Sequence, residues 1–449
     1  MIKDVKKTIV LLFILSFFNP MGGTLVIPAL PFIAKDFHLN SSQSSWVFIG
    51  YEVMLIVGSV VYGRLAQAFK LRTLLYGCIL LTMIGGLLAL VSSNLLLLIL
   101  ARVIQGIALG APIPLSMLII NEYFPKEKRK KGLTYIALAI ALGTGLSPII
   151  GGVTTSLFGW KSTFIVIASM IILLPFVKYI PDNKVEKRKI PYLAISLLAF
   201  SFLFLLYGIH GHILFLGIST LTWIIFVVIN NTQNSLINFK TLKNKIVITV
   251  CTLNFLLMLT INSLFFLTPI YLEDLNHLSS IEIGLTLFPG AILSVLSMKL
   301  IEVFSSKFGS VTFLNVSIIT LFIGLFVLLL SIGHSVLYTS VSFLFIYVGF
   351  AAVQSELSNF ISVHLSQSLM SEGIGMSNLF FFMGATFGPA LTGIFLDEKL
   401  TISNKIITFS TYHIGIIGMD LMVLVMFFIV ILVMRRKKDK RQSNIHYHV

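Results

Sequence analysis

The sequence predicts an all-α membrane protein in which two six-helix bundles flank two additional central helices, giving fourteen transmembrane helices. Three observations carry that prediction. The 449 residues are 57% hydrophobic and only 11% charged, with a mean hydropathy of +0.99, whereas a water-soluble domain carries about 25% charged residues. Apolar runs of about 18 to 25 residues, long enough to cross a hydrocarbon core, recur from end to end. Finally, Gly143, Ser147, Pro148 and Gly152 recur in register as Gly384, Gly388, Pro389 and Gly393, an internal repeat of the kind from which membrane transporters are built.

The spans follow in chain order. The first, 8–30, comes after Lys6 and Lys7 and closes at Pro31. Its apolar run outlasts a cleavable signal, so it reads as a span. The second, 46–66, stops before Lys70 and Arg72, and Asn94 divides the third, 73–93, from the fourth, 95–121. The basic run Lys126 to Lys131 precedes the fifth, 132–157, and Gly159 and Lys161 separate it from the sixth, 162–180. A charged segment, Asp182 to Lys189, leads to the two intervening spans, 192–209 and 213–230, which turn at His210 and His212. Lys240, Lys243 and Lys245 then open the second half, whose spans are 246–267, 283–304, 311–332, 337–361, 373–396 and 412–434. The expected organisation is an N-terminal six-helix bundle over 1–190, two inserted helices within 191–231, and a C-terminal six-helix bundle over 232–449 with a basic cytoplasmic tail, Arg435 to Arg441.

The net charge of +15 sits in short loops between apolar runs. It reads as the positive-inside rule, and nucleic acid is not an expected partner. Most of the 32 Lys and Arg fall on the side of the termini, against Lys35, Lys161, Lys399 and Lys405 on the other. Both termini are therefore expected in the cytoplasm. Cys78 and Cys251 lie inside spans and form no metal-ligand pattern, and no phosphate-binding glycine loop is present. Neither a cofactor nor a metal is expected.

Charges inside spans cost about 2.5 to 3.5 kcal/mol each on insertion scales, so they are candidates for function. Arg102 lies within the fourth span, followed by Gln105 and Gly106; it keeps its proton and so suits biasing a nearby acid. Glu52 is in the second span, and Glu356 in the twelfth among Gln354, Ser355, Ser358 and Asn359. Taking a carboxyl out of water disfavours its charged form, which suits it to reversible proton carriage and, when ionised, to binding cations. Glu122, at the inner end of the fourth span, is placed to pair with Arg72 across a cytoplasmic gate. Gly143 to Gly152 would let helices approach closely despite Pro148.

On these residues the chain resembles the major facilitator superfamily and, within it, the fourteen-helix drug:proton antiporter family of multidrug and tetracycline exporters. Arg102, Gln105 and Gly106 match the Arg-x-x-Gln-Gly motif of the fourth helix. Gly143, Ser147, Pro148, Gly151 and Gly152 match the Gly-x-x-x-Gly-Pro-x-x-Gly-Gly antiporter motif of the fifth, with Ser147 at the second glycine. Gly63, Leu65, Ala66 and Arg72 fit the loop motif after the second helix, while Gln67 stands at its aspartate and Lys70 at its glycine. Ala29, Leu30 and Pro31 end the first helix as in the family, with Thr24 in register, but Gly22 stands where many members carry an acid.

The resemblance implies a major facilitator fold and a proton-driven multidrug efflux antiporter that exports lipophilic, cationic drugs by alternating access. Export of one tetracycline-like drug class or of a metabolite is the alternative. Proton coupling is assigned to Glu52, Glu356 and Arg102, and the substrate cavity to Asn19, Gln105, Gln354 and Asn359. The conformational motif is Gly143, Ser147, Pro148, Gly151 and Gly152; the cytoplasmic gate is Gly63, Arg72 and Glu122. Expected partners are drugs, protons and membrane lipids, with the chain a monomer that crosses a bacterial plasma membrane many times.

Overall fold

A computed structural model describes residues 5–181, 192–209, 212–232, 239–365, 367–398, 402–403 and 408–434. The basic tail Arg435 to Arg441, His210, Lys399 and Lys405 lie outside the described residues.

The helices form where the apolar runs predict them, and the breaks within them have local causes. The first span is α1 (Val5–Thr24), a 3₁₀ turn at Ile27–Ala29 and α2 (Leu30–Asp36). Pro28 supplies no amide hydrogen for the carbonyl of Thr24, so the α1 ladder ends there, and Pro31 sits in the first turn of α2, where a missing donor is tolerated. After α3 (Ser41–Ala68) and α4 (Leu71–Leu90), the fourth span is likewise divided into α5 (Leu95–Leu109) and α6 (Pro112–Tyr123). Pro112 begins α6, the helical position where its missing donor is harmless. The fifth span, α7, runs from Lys126 to Phe158 and carries Pro148 inside it. The sixth starts as α8 (Ser162–Ala168) and finishes in 3₁₀ geometry over Ser169–Tyr179.

The two additional helices are α9 (Tyr192–Ile209) and α10 (Ile213–Thr232). They are followed by α11 (Lys245–Asn276), α12 (Ser280–Phe308), α13 (Ser310–Ser331), α14 (Val336–His364), α15 (Gln367–Asp397) and α16 (Thr411–Ile429). Among the described residues, thirteen helices are long and apolar enough to cross a membrane; in α10, the eighth expected span, the apolar stretch is the shorter Leu214–Asn230. A two-residue antiparallel pairing of Ile402–Ser403 with Thr408–Phe409 precedes α16 and was not expected from the sequence.

The chain divides into two compact units. The first comprises residues 1–236 and 278–285, the second 237–277 and 286–449. Within the first, α7 lies along α1 through glycine: a Cβ on Gly143 or Gly151 would collide with the carbonyl oxygens of Phe17 and Leu25. Gly152 similarly abuts Ser280, at the start of α12. The helices α9 and α10 are joined by the Ser219 hydroxyl, which donates to the Ser201 carbonyl at 2.8 Å, and α9 meets α3 through Tyr207 and Trp46 at 6.0 Å.

The second unit repeats the first unit's seam. A Cβ on Gly384 would collide with the Phe255 carbonyl oxygen, and one on Gly388 would lie 2.6 Å from that of Leu259, so α15 lies on α11 as α7 lies on α1. Gly143 and its counterpart Gly384 thus occupy equivalent helix seams. Small residues are what permit such backbone-to-backbone approach in a membrane, where no apolar driving force separates helix from lipid.

Candidate functional site

The helix α5 carries Arg102 into the interior of the first unit, where its side chain is fully buried. Its acceptors come from three helices. Nε donates to the Val47 carbonyl of α3 at 2.9 Å, and Nη1 donates to the Gly22 carbonyl of α1 at 2.7 Å and to Gln105 Oε1 at 3.0 Å. The guanidinium lies 4.3 Å from the Tyr51 ring centre and 5.9 Å from that of Phe164. These acceptors and rings stand in for water around the charge. They do so incompletely: Nη2 has no hydrogen-bond partner among the described residues.

Tyr51 ties the cluster together, donating its hydroxyl to the Asn19 carbonyl at 3.0 Å. Asn19 in turn donates to the Leu109 carbonyl of α5. The side-chain space at Gly22 is filled by the Tyr51 hydroxyl and Leu109. The neighbouring acid on this chain is Glu52, half-buried, whose Oε1 lies 3.2 Å from where a Cβ of Gly23 would be. The first unit therefore brings a fixed positive charge, a buried tyrosine and a carboxyl to one level. Of the two residues here assigned from sequence to a substrate cavity, Asn19 joins α1 to α5, while Gln105 accepts from Arg102 on its own helix and its Nε2 has no partner among the described residues.

In the second unit Glu356 is 1% exposed, and its Oε2 has no partner among the described residues. It lines a cavity of about 650 Å³ between α12 and α14, to which Gly309 and Ser310 also contribute. Glu302, Ser355 and Asn359 share that lining, and Asn359 donates to Ser310 Oγ at 3.1 Å. Gln354 is half-buried on α14 with Oε1 unpartnered, and it is not among the described lining residues. At the expected gate, Arg72 Nε donates to the Ile180 carbonyl at 2.6 Å, while Gly63 and Glu122 are exposed.

Sequence reasoning missed Asp420. It lies near the middle of α16, 7% exposed, with Oδ1 unpartnered among the described residues. The signal that found Glu52 and Glu356, an acid inside an apolar run, applies equally to it. Among the described residues no group of three or more His, Cys, Asp or Glu is placed to hold a metal ion.

Membrane-length helices joined through glycine seams around a buried charge define a polytopic membrane protein. Residues 12–389 match the model of the Major Facilitator Superfamily, and the chain belongs to it. It is a multi-pass membrane protein that moves small molecules. A riboflavin transporter of Clostridioides difficile (strain 630), RibZ, is 26% identical over 414 residues, 89% of this chain and 90% of that protein. Multidrug resistance protein 3 of Bacillus subtilis (strain 168) is 27% identical over 331 residues, 69% of this chain and 63% of that one. Among solved structures, a D-xylose-proton symporter superposes with a TM-score of 0.72 at 13% identity, covering 95% of this chain and 97% of that one. The nucleoside transporter NupG gives 0.70 at 14% identity, covering 95% and 99%. At such identities these two likenesses speak to the fold alone.

Proposed function

We propose that the protein is a proton-driven exporter of lipophilic, cationic drugs, of the fourteen-helix drug:proton antiporter type. The observation that carries this reading is the seating of Gly143 and Gly151 on the backbone of α1, repeated by Gly384 and Gly388 on α11. It gives the exporter-type motif a physical role, since helices joined through bare backbone can shift against one another without unlocking side chains. Glu52 and Glu356 carry protons in this scheme, and each ionised carboxylate can hold a cation that protonation then releases. Arg102 biases the charge state of the carboxyl beside it. Each charge moved down the membrane potential contributes about 2.3 kcal/mol per 100 mV, so exchange of more protons than drug charges is driven outward. The cytoplasmic gate of Gly63, Arg72 and Glu122, and the cytoplasmic placement of both termini, belong to the same proposal.

A second reading, export of a metabolite, is favoured by the extent of the match to the riboflavin transporter, which spans 89% of this chain. Inside-out vesicles separate the two. An acid-inside gradient should drive uptake of labelled benzylguanidinium, which stays protonated near neutral pH, and a protonophore should abolish it. Gradient-driven riboflavin uptake with no cation movement would transfer the assignment to the metabolite.

A further inference from the structure

The cavity between α12 and α14 has a lining of unusual chemistry for so apolar a chain. Met298, Ile301 and Ala351 line it beside Glu302, Glu356 and Asn359, with the hydroxyls of Ser305, Ser306, Ser310 and Ser355. We propose that this wedge binds an organic cation bearing N–H donors, a guanidinium or protonated primary amine, and discriminates against quaternary ammonium. The inference builds on the efflux reading by naming the substrate class.

Charge is the first ground. The described lining contains Glu302 and Glu356 and no Lys or Arg. Lys299 and Lys307 share α12 but do not line the cavity, and Lys307 Nζ lies over the Phe308 ring at 5.7 Å.

Unmet hydrogen bonding is the second. Glu356 is 1% exposed and its Oε2 is unpartnered among the described residues, a state that is unfavourable for a buried acceptor and more so when it is charged. Its surroundings are also rich in acceptors. Ser310 Oγ already receives a bond from Asn359 Nδ2, and the Asn359 carbonyl and serine lone pairs add further acceptor capacity. An N–H cation fills such acceptors, whereas a trimethylammonium group cannot.

The third ground is what surrounds the acids. Quaternary ammonium is characteristically held over aromatic faces, yet no described lining residue is aromatic, in a chain with 38 Phe, 13 Tyr and 3 Trp. A volume of about 650 Å³ falls in the range of small-molecule sites. It leaves room beyond the cationic head for a hydrocarbon body against Met298, Ile301 and Ala351.

The test compares two monocations of similar size, benzylguanidinium and benzyltrimethylammonium. Binding to the purified full-length protein is titrated by calorimetry, with the ligand-free melting midpoint recorded for each variant. Wild type should bind benzylguanidinium at least about tenfold more tightly than the trimethyl compound. Glu302→Gln and Glu356→Gln should each weaken benzylguanidinium binding by about tenfold or more. Glu302 lines the cavity and is exposed, so its variant decides the matter should Glu356→Gln fold poorly. Equal affinity for both cations, wild-type binding in Glu302→Gln, or no binding to wild type would each overturn the site. Flux separates this from the efflux reading. Gradient-driven export with binding independent of both glutamates refutes the site alone, and glutamate-dependent binding without such flux refutes the efflux reading alone.

Discussion

At the scale of single residues, the sequence singled out Arg102, Glu52 and Glu356 because a charge inside an apolar run is expensive. The structure shows what surrounds them. Arg102 is held by two carbonyls, Gln105 and a tyrosine ring, with Nη2 left unpartnered among the described residues, so Arg102→Ala should cut gradient-driven transport by about tenfold or more, the scale of losing a charge-assisted bond network. Arg102→Lys should restore only part of it, because an ammonium cannot reach Val47, Gly22 and Gln105 together in the fork geometry. Vesicle flux normalised to membrane-embedded protein measures both. Tyr51 was not legible beforehand: a tyrosine in a span is ordinary, and only the meeting of α1, α3 and α5 makes its hydroxyl occupy the space beside Gly22. Asp420 was legible and overlooked. An unpaired buried carboxyl costs more than an apolar side chain of its size, so Asp420→Leu should raise the melting midpoint in detergent. A lowered midpoint would mean that the carboxyl is held by a stabilising partner.

At the scale of elements, run length located nearly every span, since hydrocarbon thickness fixes how many apolar residues a crossing needs. It did not show that the first and fourth spans are broken, because hydropathy is blind to the backbone hydrogen bonds that Pro28, Pro31 and Pro112 remove. The repeat was legible as glycine spacing, but its meaning required the seams. A Cβ at Gly151 or Gly388 has no space, whereas one at Gly375, also on α15, meets nothing within 4 Å. Gly151→Ala and Gly388→Ala should therefore each destabilise by about 1–3 kcal/mol, the usual cost of overpacking, with Gly375→Ala near wild type. Comparable thermal shifts for all three would remove the seam argument.

At the scale of the whole molecule, loop charge sets the expected orientation. Single cysteines replacing exposed Glu127 and Glu398 should react with an impermeant maleimide from opposite faces, Glu127→Cys from the cytoplasm and Glu398→Cys from outside. Labelling of both from one face would contradict fourteen crossings.

The central claim is that proton movement and cation transport share carboxylates, and it is tested most directly by cation-induced proton release. Purified protein in weakly buffered solution with a pH dye receives benzylguanidinium, for wild type, Glu52→Gln, Glu356→Gln and the double variant. The account predicts release from wild type, a smaller release from each single variant with Glu356→Gln the more damaged, and none from the double variant. Release from the double variant equal to that of wild type would contradict it.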